Sequence, residues 1–215
     1  MRTSFGGGQE RRDGTGARDV KGGHYDMSNT GMKLTDNGMV AITRDAFGAL
    51  RAALMRDTGY AAFGYLQEAG YAGGAQLFDA FGGWLSSRGA SDAGALPLDE
   101  FQKLATEFFR ECGWGSLEVG ALQGAVATLD STDWAEAAPG TGMEHPCCHF
   151  SSGMFSDFFG RVANAPLAVM EVECRSTGAE RCRFLLGSTD VLQRIYDDMA
   201  TGIAYGDAVS GLVLA

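Results

Sequence analysis

The sequence has 215 residues, of which 45% are apolar, enough for one hydrophobic core. Its formal net charge of −10 disfavours a nucleic-acid partner, because such a surface repels phosphate backbones. No apolar run reaches the roughly 20 residues of a membrane-spanning helix, and the N-terminus shows no apolar leader. We therefore expect a cytoplasmic protein, in which clustered cysteines are metal ligands or reactive thiols more often than disulfides.

The ends of the chain differ from its middle. Residues 1–31 are rich in glycine and polar residues and show almost no periodic apolar pattern. Such a segment cannot bury enough surface to offset its chain entropy, so we predict a disordered Gly-rich tail. We expect a single domain over residues 32–200 and a C-terminal tail over residues 201–215, which is either a frayed helix or a docking segment.

Helical spacing comes first. Thr43 is a good N-cap for the helix RDAFGALRAALMRD. Its predicted apolar stripe consists of Phe47, Leu50, Leu54 and Met55. A second helical region over residues 60–89 is rich in Gly and Ala, which favours close helix packing over a ligand groove. A third helix is predicted in ALPLDEFQKLATEFFRECGWG, with Pro97 near its start and Gly113 at its end.

Alternating spacing follows. SLEVGALQGAVATLD, with a turn near Gln123-Gly124, predicts two antiparallel strands. After a helix in CCHFSSGMFSDFFGRVANA, the segments PLAVMEVECRS and ERCRFLLGS predict a second hairpin, which turns at STGAE. A last helix is predicted in TDVLQRIYDDMATG. This order indicates an α+β fold, in which an antiparallel sheet of about four strands (two hairpins) has helices packed on one side.

Four side chains around the second hairpin form a candidate metal site. If the hairpin is symmetric about Gly178, Cys174 and Cys182 face each other with β-carbons about 4.5–5.5 Å apart. Cys148 lies at the N-terminus of the preceding helix, where the helix dipole favours a thiolate. Glu171 adds an oxygen, and three thiolates with one carboxylate complete the tetrahedral shell of a zinc ion.

Geometry and charge set two conditions on this site. Glu171 and Cys174 lie on opposite faces of a regular strand, so the strand must bend or bulge between them. The four ligands and one zinc ion sum to a charge of −2, so compensating donors are expected nearby. The candidates for these donors are Arg175, Arg181, Arg183 and His149. Spacing alone leaves two alternatives open, namely buried unreactive cysteines and a redox pair of Cys174 with Cys182.

The second half of the sequence resembles the 4-vinyl reductase domain family. The resemblance rests on PCCHFSSGMFSDFFGRVANAPLAVMEVECRSTGAERCRFLLGS, with its Cys-led helix and its E-x-x-C-x7-C-x-F pattern. The upstream GWGSLEVGALQGAVATLDSTDWAEA is similar to the first hairpin of that family and the polar segment after it. The resemblance covers residues 100–188 clearly and residues 45–100 only in helical character. It implies a Bet3-like ligand-binding fold with an apolar pocket.

The resemblance also implies site residues. The family includes zinc-holding sensor domains of phenol- and xylene-responsive activators, and proteins of bacteriochlorophyll synthesis. The zinc ligands of the sensors correspond here to Cys148, Glu171, Cys174 and Cys182. Cys147 is an adjacent competitor for Cys148. Val169 corresponds to a pocket position, which suggests a ligand that is more apolar or larger than phenol. To the same pocket we assign Phe108, Trp114, Phe155 and Phe159.

These features favour a binding protein over an enzyme. The sequence carries no dinucleotide-binding, P-loop or nucleophile-elbow motif, and zinc with four protein ligands has no open position. We expect a sensor or carrier for a hydrophobic or aromatic small molecule, with zinc fixing the pocket wall. One alternative is a tetrapyrrole-pathway protein, either a 4-vinyl reductase or a pigment carrier. Another is a Bet3-like assembly subunit, and the Gly/Ala-rich region 59–83 is a candidate homodimer surface.

Overall fold

The computed structural model describes residues 38–90, 92–120 and 126–212. The predicted tail over residues 1–31 and the predicted turn at residues 123–124 lie outside the described residues. The helices are α1 Arg44–Thr58, α2 Ala61–Ser87, α3 Leu98–Glu111, α4 His149–Ala163, α5 Thr189–Ala200 and α6 Tyr205–Leu212. The strands are β1 Glu118–Val119, β2 Ala127–Ser131, β3 Ala168–Glu173 and β4 Cys182–Gly187. Within the described residues, no helix combines the length and the apolar character needed to cross a membrane.

The four strands form one antiparallel sheet in the order β1-β2-β4-β3. Both predicted hairpins are present, since β1 pairs with β2 and β3 pairs with β4. The hairpins join through β2 and β4, where Ser131 lies opposite Cys182. The α+β class and the four-stranded sheet are therefore confirmed.

Strand β3 contains the predicted irregularity. Glu171 lies opposite Phe184, but Glu173 lies opposite Arg183, so the register shifts by one residue between them. A bulge of this kind places an extra residue in one strand and re-aims the side chains after it. Glu171 and the residue that follows Glu173, Cys174, can therefore lie on the same face of the sheet.

Helices pack on both faces of the sheet, and the expectation of helices on one side is wrong. On one face, the fully buried Phe155 of α4 contacts Phe184 of β4, with ring centroids 5.1 Å apart. On the opposite face, Leu185 belongs to a smaller apolar cluster with Ile195 of α5 and Ala208 of α6. Because neighbouring residues of β4 point to opposite faces, both sides of this strand are buried.

Helices α2 and α4 contact each other through glycines. A β-carbon at Gly70 would overlap the carbonyl oxygen of Phe150, and one at Gly153 would overlap that of Gln67. No side chain separates the two backbones at these points, so α4 lies directly against α2. The Gly/Ala-rich region thus forms the close helix contact that its composition predicts.

Helix α1 begins at the predicted N-cap, where the hydroxyl of Thr43 accepts a hydrogen bond from the N–H of Ala46 at 3.2 Å. Its predicted apolar stripe is partly wrong. Leu50 is 63% exposed, whereas Arg51 is only 6% exposed. The buried position goes to the arginine because its hydrogen-bond partners lie beneath the helix.

We expect Gly70→Ala to destabilise the protein by about 1–3 kcal/mol, because the overlapping atom belongs to the backbone and cannot rotate away. Gly73→Ala in the same helix is the control, since its added β-carbon meets nothing within 4 Å. Alanine there should stabilise the helix by roughly 0.5–1 kcal/mol. Urea unfolding measures both variants, and equal stabilities would contradict the close contact of α2 with α4.

Candidate metal centre

Three thiols and a carboxylate meet beside the N-terminus of α4. The ligand atoms of Cys148, Glu171, Cys174 and Cys182 all lie within 4.8 Å of one another. The three cysteines are at most 1% exposed. The structure thus brings together the four side chains that the sequence singles out, and we call them the four-donor cluster.

Local structure explains how these donors converge. Cys148 is the N-cap residue of α4, and Cys182 is the first residue of β4. Glu171 precedes the bulge of β3, and Cys174 follows it. Without the extra residue of the bulge, strand alternation would place Glu171 and Cys174 on opposite faces.

The dimensions of the cluster fit a tetrahedral zinc ion. A Zn–S distance of about 2.3 Å places two sulfur ligands of a tetrahedron about 3.8 Å apart. The Sγ atom of Cys148 is 3.8 Å from that of Cys174 and 3.9 Å from that of Cys182. Glu171 accepts a hydrogen bond from the N–H of Cys148 through Oε2 at 2.7 Å. Its buried Oε1 has no hydrogen-bond partner among the described residues, so it is available to a cation.

The burial of these acidic groups shifts their pKa values. Burial, with the nearby Cys174 as the second cause, raises the pKa of Glu171 to about 8. Hydrogen bonds to Cys174 and Cys182 raise the pKa of the Cys148 thiol. Hydrogen bonds from Cys147 and Cys148 lower the pKa of Cys174. One thiolate therefore forms readily, and complete deprotonation of the cluster requires a compensating cation.

The expected arginine donors lie elsewhere. Arg181 pairs with Glu173 at 2.9 Å, and Arg183 pairs with Asp130 at 2.5 Å. Residues on either side of Cys182 point away from it, because side chains alternate along a strand. The expectation that Arg181 and Arg183 compensate the cluster is therefore wrong.

His149 also departs from the expected role. Its ring stacks on Phe63 with centroids 4.0 Å apart. Its Nε2 atom is buried without a hydrogen-bond partner among the described residues. Burial lowers the pKa of this imidazole to about 4, so the side chain is neutral near pH 7 and adds no positive charge.

A guanidinium that the sequence did not indicate lies closest to the thiols. Arg51 of α1 donates a hydrogen bond to the Sγ atom of Cys147 at 3.2 Å and another to the backbone carbonyl of Glu136. Cys147 Sγ is in turn 4.0 Å from Cys174 Sγ. Cys147 thus links Arg51 to the cluster, while Cys148 supplies the thiol that belongs to it.

A second buried carboxylate holds the start of α4. Glu136 accepts hydrogen bonds from the N–H of Phe150 at 3.1 Å and from the N–H of Ser151 at 2.7 Å. The hydroxyl of Ser151 also donates to it, and the indole N–H of Trp134 donates to that hydroxyl. Burial raises the pKa of Glu136. These bonds satisfy N–H groups that a helix N-terminus leaves without partners, so they fix the position of Cys148.

The predicted pocket residues lie in two environments. Phe108, Phe155 and Phe159 belong to the aromatic core and are at most 5% exposed. Trp114 is half-buried and stacks on Trp134, and Val169 is half-buried in β3. Their role in ligand binding stays a prediction.

An open cleft adjoins the cluster on the side of α1. Its volume is about 810 Å³, and its walls are α1 and the segment 133–143. Apolar side chains cover much of these walls, including Phe47, Met55 and Met143. Arg51 lines the cleft and also reaches Cys147, so one side chain contacts both the cleft and the thiols.

We expect Glu136→Gln to reduce the free energy of unfolding by about 1–3 kcal/mol, since an amide cannot accept hydrogen bonds at both former oxygens and leaves a buried N–H group unpaired. Glu144→Gln is the control, because Glu144 is exposed and precedes the same helix. Chemical denaturation of both variants measures the difference. An unchanged midpoint for Glu136→Gln would contradict the capping role.

Known proteins share part of this sequence. The family model of the 4-vinyl reductase domain matches residues 133–188, which contain the whole four-donor cluster and Glu136. An uncharacterized protein of Methanocaldococcus jannaschii is 26% identical over 78 residues, which are 36% of this chain. The chain spans 41% of the length of that relative.

Two solved structures share the fold. The phenol-responsive sensory domain of the transcription activator PoxR, with phenol, gives a TM-score of 0.56 at 16% identity and covers 78% of this chain and 83% of that domain. Trafficking protein particle complex subunit 3 from Naegleria fowleri, covalently bound to palmitic acid, gives 0.51 at 13% identity, with coverages of 67% and 91%. At these identities the likeness concerns the fold alone. The predicted resemblance is confirmed, and the chain carries the 4-vinyl reductase domain over residues 133–188 within a Bet3-like fold.

Proposed function

We propose that this protein is a zinc-containing binding domain for a hydrophobic or aromatic small molecule, which it senses or carries without catalysing a reaction. The observation that carries this proposal is the buried four-donor cluster beside an open, largely apolar cleft. The cluster has the donor types and spacing of a structural zinc site. The cleft has the size of a small-molecule site.

Zinc would be held by the thiolates of Cys148, Cys174 and Cys182 and by Oε1 of Glu171. Four protein ligands leave no position for water or substrate, so the ion would supply a cross-link and no Lewis-acid chemistry. The cross-link would join the start of α4 to the β3–β4 hairpin. The wall of the cleft between Trp134 and Met143 leads directly into α4, so its position depends on this junction.

Two features of the cleft support ligand binding. Its walls are rich in apolar side chains, and Arg51 connects it to Cys147. The molecules named with the two structures of the same fold, phenol and palmitic acid, are both small molecules with an apolar part. We extend that ligand class to this chain.

The more specific partners stay predictions. A tetrapyrrole ligand would need to be tested by the absorbance of the purified protein. The predicted homodimer surface lies on α2, where Tyr65 and Tyr71 are 53% and 55% exposed.

We expect one zinc ion per chain in the purified protein, measured by elemental mass spectrometry. Cys182→Ala should lose the ion, because three remaining donors cannot close the tetrahedral shell. Cys112→Ala is the control, since Cys112 lies outside the cluster. Cys147→Ala should also retain the ion, and its loss there but not in Cys148→Ala would reverse the assignment of these neighbours. A metal-free wild type would contradict the proposed centre.

Chelation of the metal is expected to increase amide hydrogen exchange over residues 147–185, where the donors lie, and to weaken small-molecule binding in the cleft. Helix α5 is the internal reference, because it packs on the opposite face of the sheet. Exchange mass spectrometry before and after chelation measures both regions. Equal protection of residues 147–185 in the two states would show that the cluster does not depend on a metal.

A further inference from the structure

Three arginines line the cleft without a carboxylate partner. Arg44, Arg51 and Arg175 all contribute to its walls. No carboxylate within the described ranges lies within 4.0 Å of any of their guanidinium nitrogens. Elsewhere in the fold, arginines form ion pairs, as Arg88 does with Glu111 and Arg161 with Asp157. The cleft therefore concentrates uncompensated positive charge on a chain whose net charge is −10.

The acidic residues of the cleft are mostly committed elsewhere. Asp133 accepts hydrogen bonds from the N–H of Ser116 at 2.7 Å and from its hydroxyl at 2.5 Å. Glu136 is committed to the N-terminus of α4. Asp45 lies in the first turn of α1, where it complements the helix dipole. These contacts leave the arginines as the charged groups available to a ligand.

Arg51 is the most deeply placed of the three, at 6% exposed. A guanidinium has five N–H donors, and the bonds to Cys147 and to the Glu136 carbonyl use two of them. Arg44 donates to the carbonyl of Gly113 at 2.6 Å and keeps its full charge. Both side chains thus combine a fixed position with donors that remain for a ligand.

We propose that the cleft binds a small carboxylic acid with an apolar body, whose carboxylate contacts the arginines and whose body lies against the apolar walls. This inference rests on the proposed function and names the ligand class of that cleft. Arginine binds a carboxylate through two parallel hydrogen bonds, which fixes the orientation of the acid. Phe47, Met55 and Met143 supply the apolar contact.

The same charges disfavour a neutral ligand of equal shape. A neutral molecule in the cleft would displace water from the guanidinium groups without replacing its hydrogen bonds to them, which costs binding free energy. A carboxylate replaces those bonds and neutralises charge. The cleft should therefore distinguish an acid from its own amide.

Two probes that differ only in this group test the proposal on the purified, metal-loaded full chain. We expect 2-naphthoate to bind at least tenfold more tightly than 2-naphthamide, and its affinity to fall as salt is raised. Titration calorimetry gives both affinities. The fluorescence of Trp134, which lines the cleft, provides an independent signal.

Matched arginine variants locate the effect. Arg44→Gln and Arg175→Gln should each weaken 2-naphthoate at least fivefold and leave 2-naphthamide unchanged. Arg56→Gln is the control, because Arg56 belongs to α1 but pairs with Asp57 and lies outside the cleft. Arg51 is left intact, since its contact with Cys147 would confound ligand binding with metal retention. Zinc content and thermal unfolding verify each variant, and Arg44→Lys and Arg175→Lys replace any glutamine variant that fails to fold.

The outcomes separate this inference from the proposed function. Equal binding of the two probes, unaffected by the arginine variants, overturns the carboxylate and leaves a neutral small-molecule site. Binding of neither probe by zinc-loaded protein overturns both the carboxylate and the cleft as a ligand site, while the metal centre stands. Loss of 2-naphthoate affinity in Arg56→Gln would show a general charge effect and would also overturn the proposal.

Discussion

The rest of the structure depends on the burial of three thiols and one carboxylate within 4.8 Å of one another. Ionised groups inside a protein are costly unless opposite charge and hydrogen bonds compensate them. The chain can meet that requirement with protons, with a cation, or with both in different states. The raised pKa of Glu171 and the unpartnered Oε1 atom show that protons alone satisfy the cluster poorly. The elements around it can be understood as the means of holding four such groups together.

The bulge in β3 is held from both faces of the sheet. It turns Glu171 inward to the cluster and Glu173 outward, where Arg181 pairs with it and the hydroxyl of Tyr205 donates to it. Since Tyr205 begins α6, the C-terminal helix contacts the residue that follows the bulge. On the inner side, the glycine contact between α2 and α4 sets where α4 begins. The S···S distances at Cys148 therefore follow from contacts made by several elements, and not from the hairpin alone.

Local pattern predicted what local geometry determines. The alternating segments indicated both hairpins, and the spacing of Glu171 and Cys174 required the bulge that β3 contains. The misassignment of Arg181 and Arg183 was avoidable, since they flank Cys182 on a strand and must point away from it. Arg51 was beyond prediction, because its partner Cys147 lies 96 residues away and α1 had a plausible apolar stripe without it. Helices on both sheet faces depend on tertiary packing of α5 and α6, which spacing does not report.

The position of Arg51 also explains why this residue is an arginine. The side chain must reach a backbone carbonyl and a sulfur atom at once while it lines the cleft. A planar guanidinium can do so because its donors diverge from a rigid fork, whereas a lysine ammonium is a single compact charge. Lysine at this position would favour one partner at the expense of the others. The fork therefore joins the thiols, the segment that caps α4 and the cleft into one connected site, through a residue that lies in none of the hairpins.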